Sequence, residues 1–256
     1  HDALPVSGAA AGRLRGYQLE GVTWLVASWQ ARRSTILADE MGLGKTAQVL
    51  LFLSWLAESR GIQGPFLVVA PLSTLSHWKR ETQRWTQLRC VELRGNADCR
   101  SLQLRYALRH TDARCRPTGR LRVELIVTAY EQVWMEQGAL QSIHWAHVVV
   151  DEAHRLKNDE SRLFKSLSAL RRAGCTLLTG TPVQNNVAEL LALIRFLDPH
   201  KFDHTEVGRL LELYGTVTTP EHVMGIQRLI APYLLRRTKA DLVERWPPKG
   251  PTLLKV

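Results

Sequence analysis

The 256-residue chain carries 34 lysines and arginines against 24 acidic residues, a net charge of +10, with 45% hydrophobic and 23% charged residues. Such a length and balance suit one sizeable buried core with room for a subdomain. No apolar run approaches the ~18 residues that cross a bilayer, which excludes a membrane-spanning helix, and no stretch reads as a signal peptide. Four cysteines, at 90, 99, 115 and 175, form neither a C-x-x-C pair nor a regular framework, as expected of reduced thiols inside a cell. The positive excess is nearly all arginine: nine arginines stand against three acids between Arg89 and Arg122. A basic excess favours a polyanionic partner. That stretch reads equally as a phosphate-facing surface or a solvated insertion.

In chain order, residues 1–12 read as a flexible lead-in. Tyr17 to Trp29 is a predicted amphipathic helix, with Leu19, Val22, Trp24, Leu25 and Trp29 as its apolar set. Thr35–Ala38 is a short apolar strand. It runs into Asp39-Glu40-Met41-Gly42-Leu43-Gly44-Lys45-Thr46, and a helical run to Arg60 follows, with Val49, Leu50, Leu53, Leu56 and Ala57 at helical spacing. Strand, glycine-rich turn, Lys-Thr and helix form the context of a phosphate-binding loop. Glycines let backbone N–H groups turn toward a polyphosphate, and the helix N-terminus favours negative charge there. In that reading Lys45 reaches the terminal phosphates and the Thr46 hydroxyl ligates Mg²⁺. The strict pattern has glycine where this chain has Asp39.

Phe66–Ala70 is a continuous apolar strand of the kind found in parallel sheets covered on both faces. Pro71–Ser76 is a predicted turn, His77–Trp85 a helix, Cys90–Leu93 a short strand and Leu102–Leu108 helical. Cys115–Arg120 reads as a loop, Leu121–Thr128 as a strand, and Met135–Ile143 as a helix and turn. Val148–Val150 is another apolar strand and leads into Asp151-Glu152-Ala153-His154. An acidic pair at the carboxyl end of a strand lies where open α/β sheets bind ligands. Asp151 is placed to hold Mg²⁺ and Glu152 to orient or deprotonate an attacking water. Ser161–Leu170 is helical, Cys175–Leu178 a strand, and Thr179-Gly180-Thr181-Pro182 a hydroxyl-rich turn. Asn186–Leu197 is an apolar helix that Asp198-Pro199 stops. Thr205–Tyr214 and Glu221–Pro232 are two further helices, and Thr252–Val256 a strand. Alternating strands and helices predict a doubly wound parallel α/β sheet, with a helical protrusion over about 186–232.

Taken together and in order, these stretches resemble the SWI/SNF-type ATPases of helicase superfamily two, covering almost all of the chain from Leu14 onward. Asp39–Thr46 and Asp151–His154 resemble motifs I and II, and Asp at position 39 is that branch's usual variant. Leu14–Gly21 resembles the glutamine motif, Val69–Thr74 motif Ia, Val127–Glu131 motif Ib and Leu178–Asn185 motif III. Leu234–Lys239 and Pro247-Pro248-Lys249 resemble the segment leading out of the first lobe. Gly64–Pro71 and Ile143-His144-Trp145 are most similar to the chromodomain-helicase-DNA-binding remodelers.

The resemblance implies a RecA-like P-loop lobe over residues 13–238 that uses ATP and Mg²⁺. Its catalytic residues would be Lys45, Asp151 and Glu152, with Thr46 and Asp151 holding the metal. Gln18, Asp39, Glu40, Met41, Gly42, Leu43, Gly44, Lys45 and Thr46 would line the nucleotide. Gln18 would read adenine, because a carboxamide offers both a donor and an acceptor. Pro71, Leu72, Ser73, Thr74, Thr128, Tyr130, His154, Thr179, Gly180 and Thr181 would contact DNA or couple it to the nucleotide. The implied partners are double-stranded DNA, nucleosomes with their histones, and a second RecA-like lobe; the implied location is the nucleus. Residues 239–256 would be linker and the start of that second lobe. Its motifs, including its arginine fingers, do not occur here, so the chain is expected to be an isolated first lobe that hydrolyses ATP poorly alone. The rival readings are a strand-separating helicase of the same superfamily, a non-hydrolysing nucleotide- or DNA-binding scaffold and an unrelated P-loop kinase.

Overall fold

Apolar runs without polar alternation need cover on both faces, and the structure gives it to them. The computed structural model describes residues 14–107, 109–111, 117–180, 187–214 and 220–245. Its strands are β1 (Thr35–Leu37), β2 (Phe66–Ala70), β3 (Cys90–Leu93), β4 (Arg109–Thr111), β5 (Pro117–Leu121), β6 (Leu125–Ala129), β7 (His147–Val150), β8 (Cys175–Leu178) and β9 (Leu234–Leu235). Its helices are α1 (Gly16–Gln30), α2 (Lys45–Arg60), α3 (Leu75–Trp85), α4 (Ala97–Leu102), α5 (Tyr130–Met135), α6 (Gln137–Gln141), α7 (Arg162–Ser168), α8 (Val187–Leu197), α9 (His204–Tyr214) and α10 (Pro220–Ile230).

Seven strands form one sheet in the order β3-β6-β2-β7-β8-β1-β9. Every pairing in it is parallel. Side chains alternate between faces along each strand. Leu37, Phe66, Val68, Val149 and Leu178 share one core with Val22 and Leu25 of α1, Val49 and Leu53 of α2, and Trp78 of α3. Ile36, Leu67, Val148, Val150 and Leu177 share the other with Val133 of α5, Leu167 of α7 and Ile194 of α8. The sheet is therefore doubly wound, as expected.

Most predicted elements stand within a residue or two of their places. Three do not. The stretch read as a loop over 115–120 includes β5, which pairs antiparallel with β4 in a separate two-stranded ribbon. The single strand expected over 121–128 is two strands, because Leu121 ends β5 and Leu125 begins β6. The helix expected over 102–108 begins earlier, at Ala97, as α4 and the helical turn Gln103–Ala107 that follows it. Helix α5 starts at once after β6, where no helix was predicted. Of the helices expected to protrude, α8 sends Leu190, Leu191, Leu193, Ile194, Phe196 and Leu197 into the same core as the strands. Among the described residues, α9 and α10 add one buried apolar side chain each, Leu210 and Ile226. The expected lead-in over 1–12, Cys115 and the terminal stretch with Pro247-Pro248-Lys249 and Thr252–Val256 lie outside the described residues.

His147 opens β7 at the edge of the sheet remote from the loops discussed below. Its Nε2 is 2.9 Å from Thr176 Oγ1, which lies 3.2 Å from Thr35 Oγ1. Its ring meets Phe52 edge-on at 5.1 Å, and its Nδ1 has no partner among the described atoms. Burial, reinforced by the nearby Arg172 charge, lowers its pKa from 6.5 to about 3. The folded chain thus refuses a proton that the unfolded chain accepts between those values. Stability from this site is whole above about pH 6.5 and falls as pH drops toward 3. His147→Gln should remove about 2–3 kcal/mol of the stability lost between pH 7 and pH 4.5, as read by denaturant titration at both pH values.

Candidate functional site

Parallel pairing points the carboxyl ends of β1, β2, β6, β7 and β8 the same way, and the loops after them meet at one edge. The loop after β1 runs from Asp39 to Gly44 and enters α2. Gly44, the residue before that helix, has φ 78 in the left-handed region, and a Cβ there would lie 2.3 Å from Gln18 Nε2. Glycine satisfies both constraints. No side chain caps the first turn of α2, so its leading N–H groups remain available to an anion at the loop. Lys45 Nζ donates to the Asp39 carbonyl at 2.7 Å. Burial lowers the Lys45 pKa, while the carboxylates of Asp39, Glu152 and Asp151 pull the other way. Gln18 Nε2 donates to the Leu43 carbonyl at 3.2 Å, and Gln18 Oε1 accepts from the Arg15 N–H at 3.0 Å.

Asp39 departs from the expected role. Its side chain is 0% exposed. Arg237 Nε donates to its Oδ1 at 2.9 Å and Gln48 Nε2 to its Oδ2 at 3.1 Å. Its carboxylate is thus engaged in the interior, and what it offers the loop is the carbonyl that anchors Lys45. Glu40 is held by Lys239, whose Nζ lies 3.2 Å from its Oε1. Met41 is 64% exposed, at the open side of the loop.

The acidic pair follows β7. Asp151 Oδ2 accepts from Trp78 Nε1 at 2.9 Å, and Oδ1 accepts from the Glu152 N–H at 2.9 Å. The Tyr130 hydroxyl donates to the Asp151 carbonyl. Burial, and the Asp151 charge after it, push the Tyr130 phenol up, so it remains an O–H donor. Arg155 lies over the Tyr130 ring at 4.8 Å. Glu152 adopts φ 46, ψ 51. That left-handed conformation is costly for a non-glycine residue and tends to persist where the surroundings enforce it. His154 Nδ1 sits 3.3 Å from Glu152 Oε2. Strand β8 lies between β7 and β1, so the loop after it emerges between the acidic pair and the phosphate loop. The Thr179 N–H there donates to the Leu37 carbonyl at 3.2 Å, and Gly180 packs against Met41 and Lys45.

The residues expected to contact or couple DNA divide into two groups. Leu72 is 61% exposed and Ser73 is exposed. Thr74 Oγ1 donates to the Pro71 carbonyl at 2.9 Å, closing the turn they share. His154 is also exposed. Thr128 and Tyr130 are buried; Thr128 Oγ1 donates to the Leu93 carbonyl at 3.2 Å. Their side chains cannot meet DNA, which leaves coupling as the role open to them. Thr181 lies outside the described residues. In the arginine-rich segment, Arg89 pairs with Glu124, Arg94 with Glu92 and Arg100 with Glu136. Those three guanidiniums serve the protein itself, so the segment is less of a free cationic surface than its composition implies.

Sequence reasoning missed Trp78, Arg155 and Arg237. Trp78 reads as core at helical spacing, and its N–H target is 73 residues away. The donor set at this edge fits Mg²⁺ with a polyphosphate: an uncapped helix N-terminus, one ammonium, one hydroxyl at Thr46 and one fixed carboxylate at Asp151. Among the described residues no group of three His, Cys, Asp or Glu side chains could hold a metal alone. Mg²⁺ suits such a sparse set, because it commonly takes one or two carboxylates plus phosphate oxygens and water.

A doubly wound parallel sheet with a phosphate loop after β1 and an acidic pair after β7 defines a P-loop lobe of the RecA-like kind. Within that class the chain belongs to the SNF2-related domain family, whose profile matches residues 17–256. Over 245 residues it is 42% identical to Chromodomain-helicase-DNA-binding protein 6 of Rattus norvegicus and 40% identical to Chromodomain-helicase-DNA-binding protein 9 of Homo sapiens. Each alignment covers 95% of this chain but only 9% and 8% of those proteins. The fold also matches the Sulfolobus solfataricus SWI2/SNF2 ATPase core in complex with dsDNA, with a TM-score of 0.75 and 28% identity. That match covers 89% of this chain and 45% of the other.

Trp78→Phe keeps an aromatic ring but removes the donor to Asp151. Groups that orient a metal ligand are commonly worth about 10–100-fold in metal affinity. The variant should need about 10-fold more Mg²⁺ to reach half-saturation with ADP, read by calorimetry across a Mg²⁺ series.

Proposed function

We propose that the chain is the ATP-binding lobe of an ATP-dependent, DNA-translocating chromatin remodeler. The observation that carries the reading is the convergence of Lys45, Gly180 and the Asp151–Glu152 pair at the carboxyl edge of β1, β8 and β7. In this reading residues 13–238 are the lobe and 239–256 lead toward a second RecA-like lobe. The substrate is ATP, the metal is Mg²⁺, the track is duplex DNA within nucleosomes, and the setting is the nucleus.

Each residue then has a defined task. The N–H groups at the start of α2 bind the β-phosphate, and Lys45 leaves the Asp39 carbonyl to meet the terminal phosphates. Thr46 and Asp151 hold the metal, with Trp78 and the Glu152 N–H fixing the two oxygens of Asp151. When bound, Mg²⁺ would supply positive charge that offsets part of the charge on the phosphates. Glu152 orients the attacking water. Gln18 serves the adenine edge. The exposed turn Pro71–Thr74 meets the DNA backbone through hydroxyls and N–H groups, which read no sequence. Thr128 and Tyr130 transmit the state of that edge to Asp151, and Thr179–Gly180 does so for Lys45.

Two outcomes test this reading. Mg·ADP should bind the chain, and Lys45→Ala should weaken that binding; equal affinities by titration calorimetry would remove Lys45 from the site. Residues 1–256 alone should hydrolyse ATP close to background, because phosphoryl transfer lacks the arginines of a second lobe, worth about 10³–10⁵ in rate. Joined to a second lobe the chain should show DNA-stimulated turnover, and Glu152→Gln should abolish it. Turnover near 1 s⁻¹ by the chain alone, in the ordinary enzyme range, would contradict the two-lobe mechanism. Strand separation by the full-length protein would mark a helicase instead.

A further inference from the structure

After α10 the chain returns to the sheet and runs beside β1. The Ile36 N–H donates to the Tyr233 carbonyl at 2.7 Å, the Ala38 N–H to Leu235 at 2.7 Å and the Glu40 N–H to Arg237 at 2.9 Å. This pairing does not stop where β1 stops; it continues into the first residues of the phosphate loop. The Lys239 N–H then donates to Glu40 Oε2 at 2.7 Å. Residues 233–239 are a strap laid along residues 36–40.

From that strap Arg237 turns inward. Its guanidinium engages both oxygens of Asp39, donates to Gln48 Oε1 at 2.8 Å and donates to the Tyr17 carbonyl. Gln48 Nε2 reaches the Leu43 carbonyl at 3.3 Å, the same carbonyl that Gln18 Nε2 reaches. One arginine thus ties together α1, the loop, α2 and the strap. Helix α1 fits over this network because residue 21 is glycine. A Cβ there would lie 1.8 Å from Gln48 Oε1 and 2.7 Å from Arg237 Nη2. Asp39 is the hub: its carboxylate is held by Arg237 while its carbonyl holds Lys45.

We infer that Arg237 is a positioning residue for the nucleotide, and that the strap 233–239 and the occupied loop stabilise one another. This rests on the reading of the loop as a nucleotide site. Binding must draw Lys45 off the Asp39 carbonyl without moving the backbone that presents the N–H groups. A buried, forked contact on the Asp39 carboxylate holds that backbone still. Coupling of this kind is reciprocal: what the strap gives to nucleotide binding, bound nucleotide returns to the strap.

Removing Arg237 outright leaves a buried carboxylate unpaired, which destabilises the fold by itself. Two milder changes separate positioning from folding. Arg237→Lys keeps the charge but loses the fork that reaches Asp39, Gln48 and Tyr17 together. Asp39→Asn combined with Arg237→Gln removes both charges, so neither is left buried and unpaired. Titration calorimetry with Mg·ADP, thermal melts, and hydrogen exchange over residues 233–240 with and without Mg·ADP form the test. In the unaltered chain Mg·ADP should slow exchange over 233–240. Arg237→Lys should weaken Mg·ADP binding about tenfold and lose that protection while still melting cooperatively. The neutral pair should fold and bind equally weakly. Either variant binding as tightly as the unaltered chain overturns the inference, as does an unchanged exchange rate over 233–240 in the unaltered chain. The exchange measurement needs no variant, so it decides the matter even if Arg237→Lys does not fold. An unaltered chain that fails to bind Mg·ADP overturns the nucleotide reading as well as the strap; unaltered binding with unaffected variants overturns the strap alone.

Discussion

Parallel hydrogen bonding among β1, β2, β6, β7 and β8 is the constraint on which the site depends. Strands that run the same way must end at the same edge, so segments far apart in the chain deliver their loops to one place. The order within the sheet then decides who meets whom. With β8 between β7 and β1, the Thr179–Gly180 loop has to pass between the acidic pair and the phosphate loop. With β2 on the other side of β7 and β6 beyond it, α3 and α5 begin beside Asp151. Two fully covered faces make those registers hard to slip, because a one-residue shift would exchange every core side chain between faces.

Polar contacts at this edge then refine what the sheet places. Asp151 is fixed by Trp78 from α3, by the Glu152 N–H and, at its carbonyl, by Tyr130 from α5. Helix α3 follows the Pro71–Thr74 turn, and α5 opens within the Val127–Glu131 stretch; both stretches read as nucleic-acid-facing or coupling. The residue proposed to hold the metal is therefore wired to that edge by two hydrogen bonds, one to its carboxylate and one to its carbonyl. On the other flank, the Asp39–Arg237 pair adds little to stability as such, since desolvating two charges offsets much of their attraction. Its contribution is specificity of shape: it fixes which backbone conformation the loop keeps when Lys45 moves.

Much of this was legible in the sequence because the signals are local. Uninterrupted apolar runs such as Phe66–Ala70 and Val148–Val150 mark covered strands, and Gly42-Leu43-Gly44-Lys45-Thr46 between a strand and a helix marks an anion site. What escaped is non-local or masked by a competing signal. The two residues of β9 are too few for any periodicity, and they are strand only because β1 offers its free edge. Strand β5 carries arginine, glycine and proline, which weaken a strand pattern that its hairpin partner β4 restores. Helix Tyr130–Met135 went unpredicted; it has only six residues, and its first two belong to the Val127–Glu131 stretch matched to motif Ib. Trp78 reads as an ordinary core residue until its N–H is traced to Asp151. Asp39 was read as part of the nucleotide lining; its burial under Arg237 depends on a partner 198 residues away.

The central claim is that one edge of this sheet assembles a Mg·nucleotide site from Gly42–Thr46 and Asp151–Glu152. The most direct measurement is a crystal structure of the chain with Mg²⁺ and a non-hydrolysable ATP analogue. The polyphosphate should lie on the N–H groups at the start of α2, with Lys45 released from the Asp39 carbonyl and the metal between Thr46 and Asp151. A polyphosphate bound elsewhere, or one bound with Lys45 still on the Asp39 carbonyl and Asp151 turned away, would contradict it.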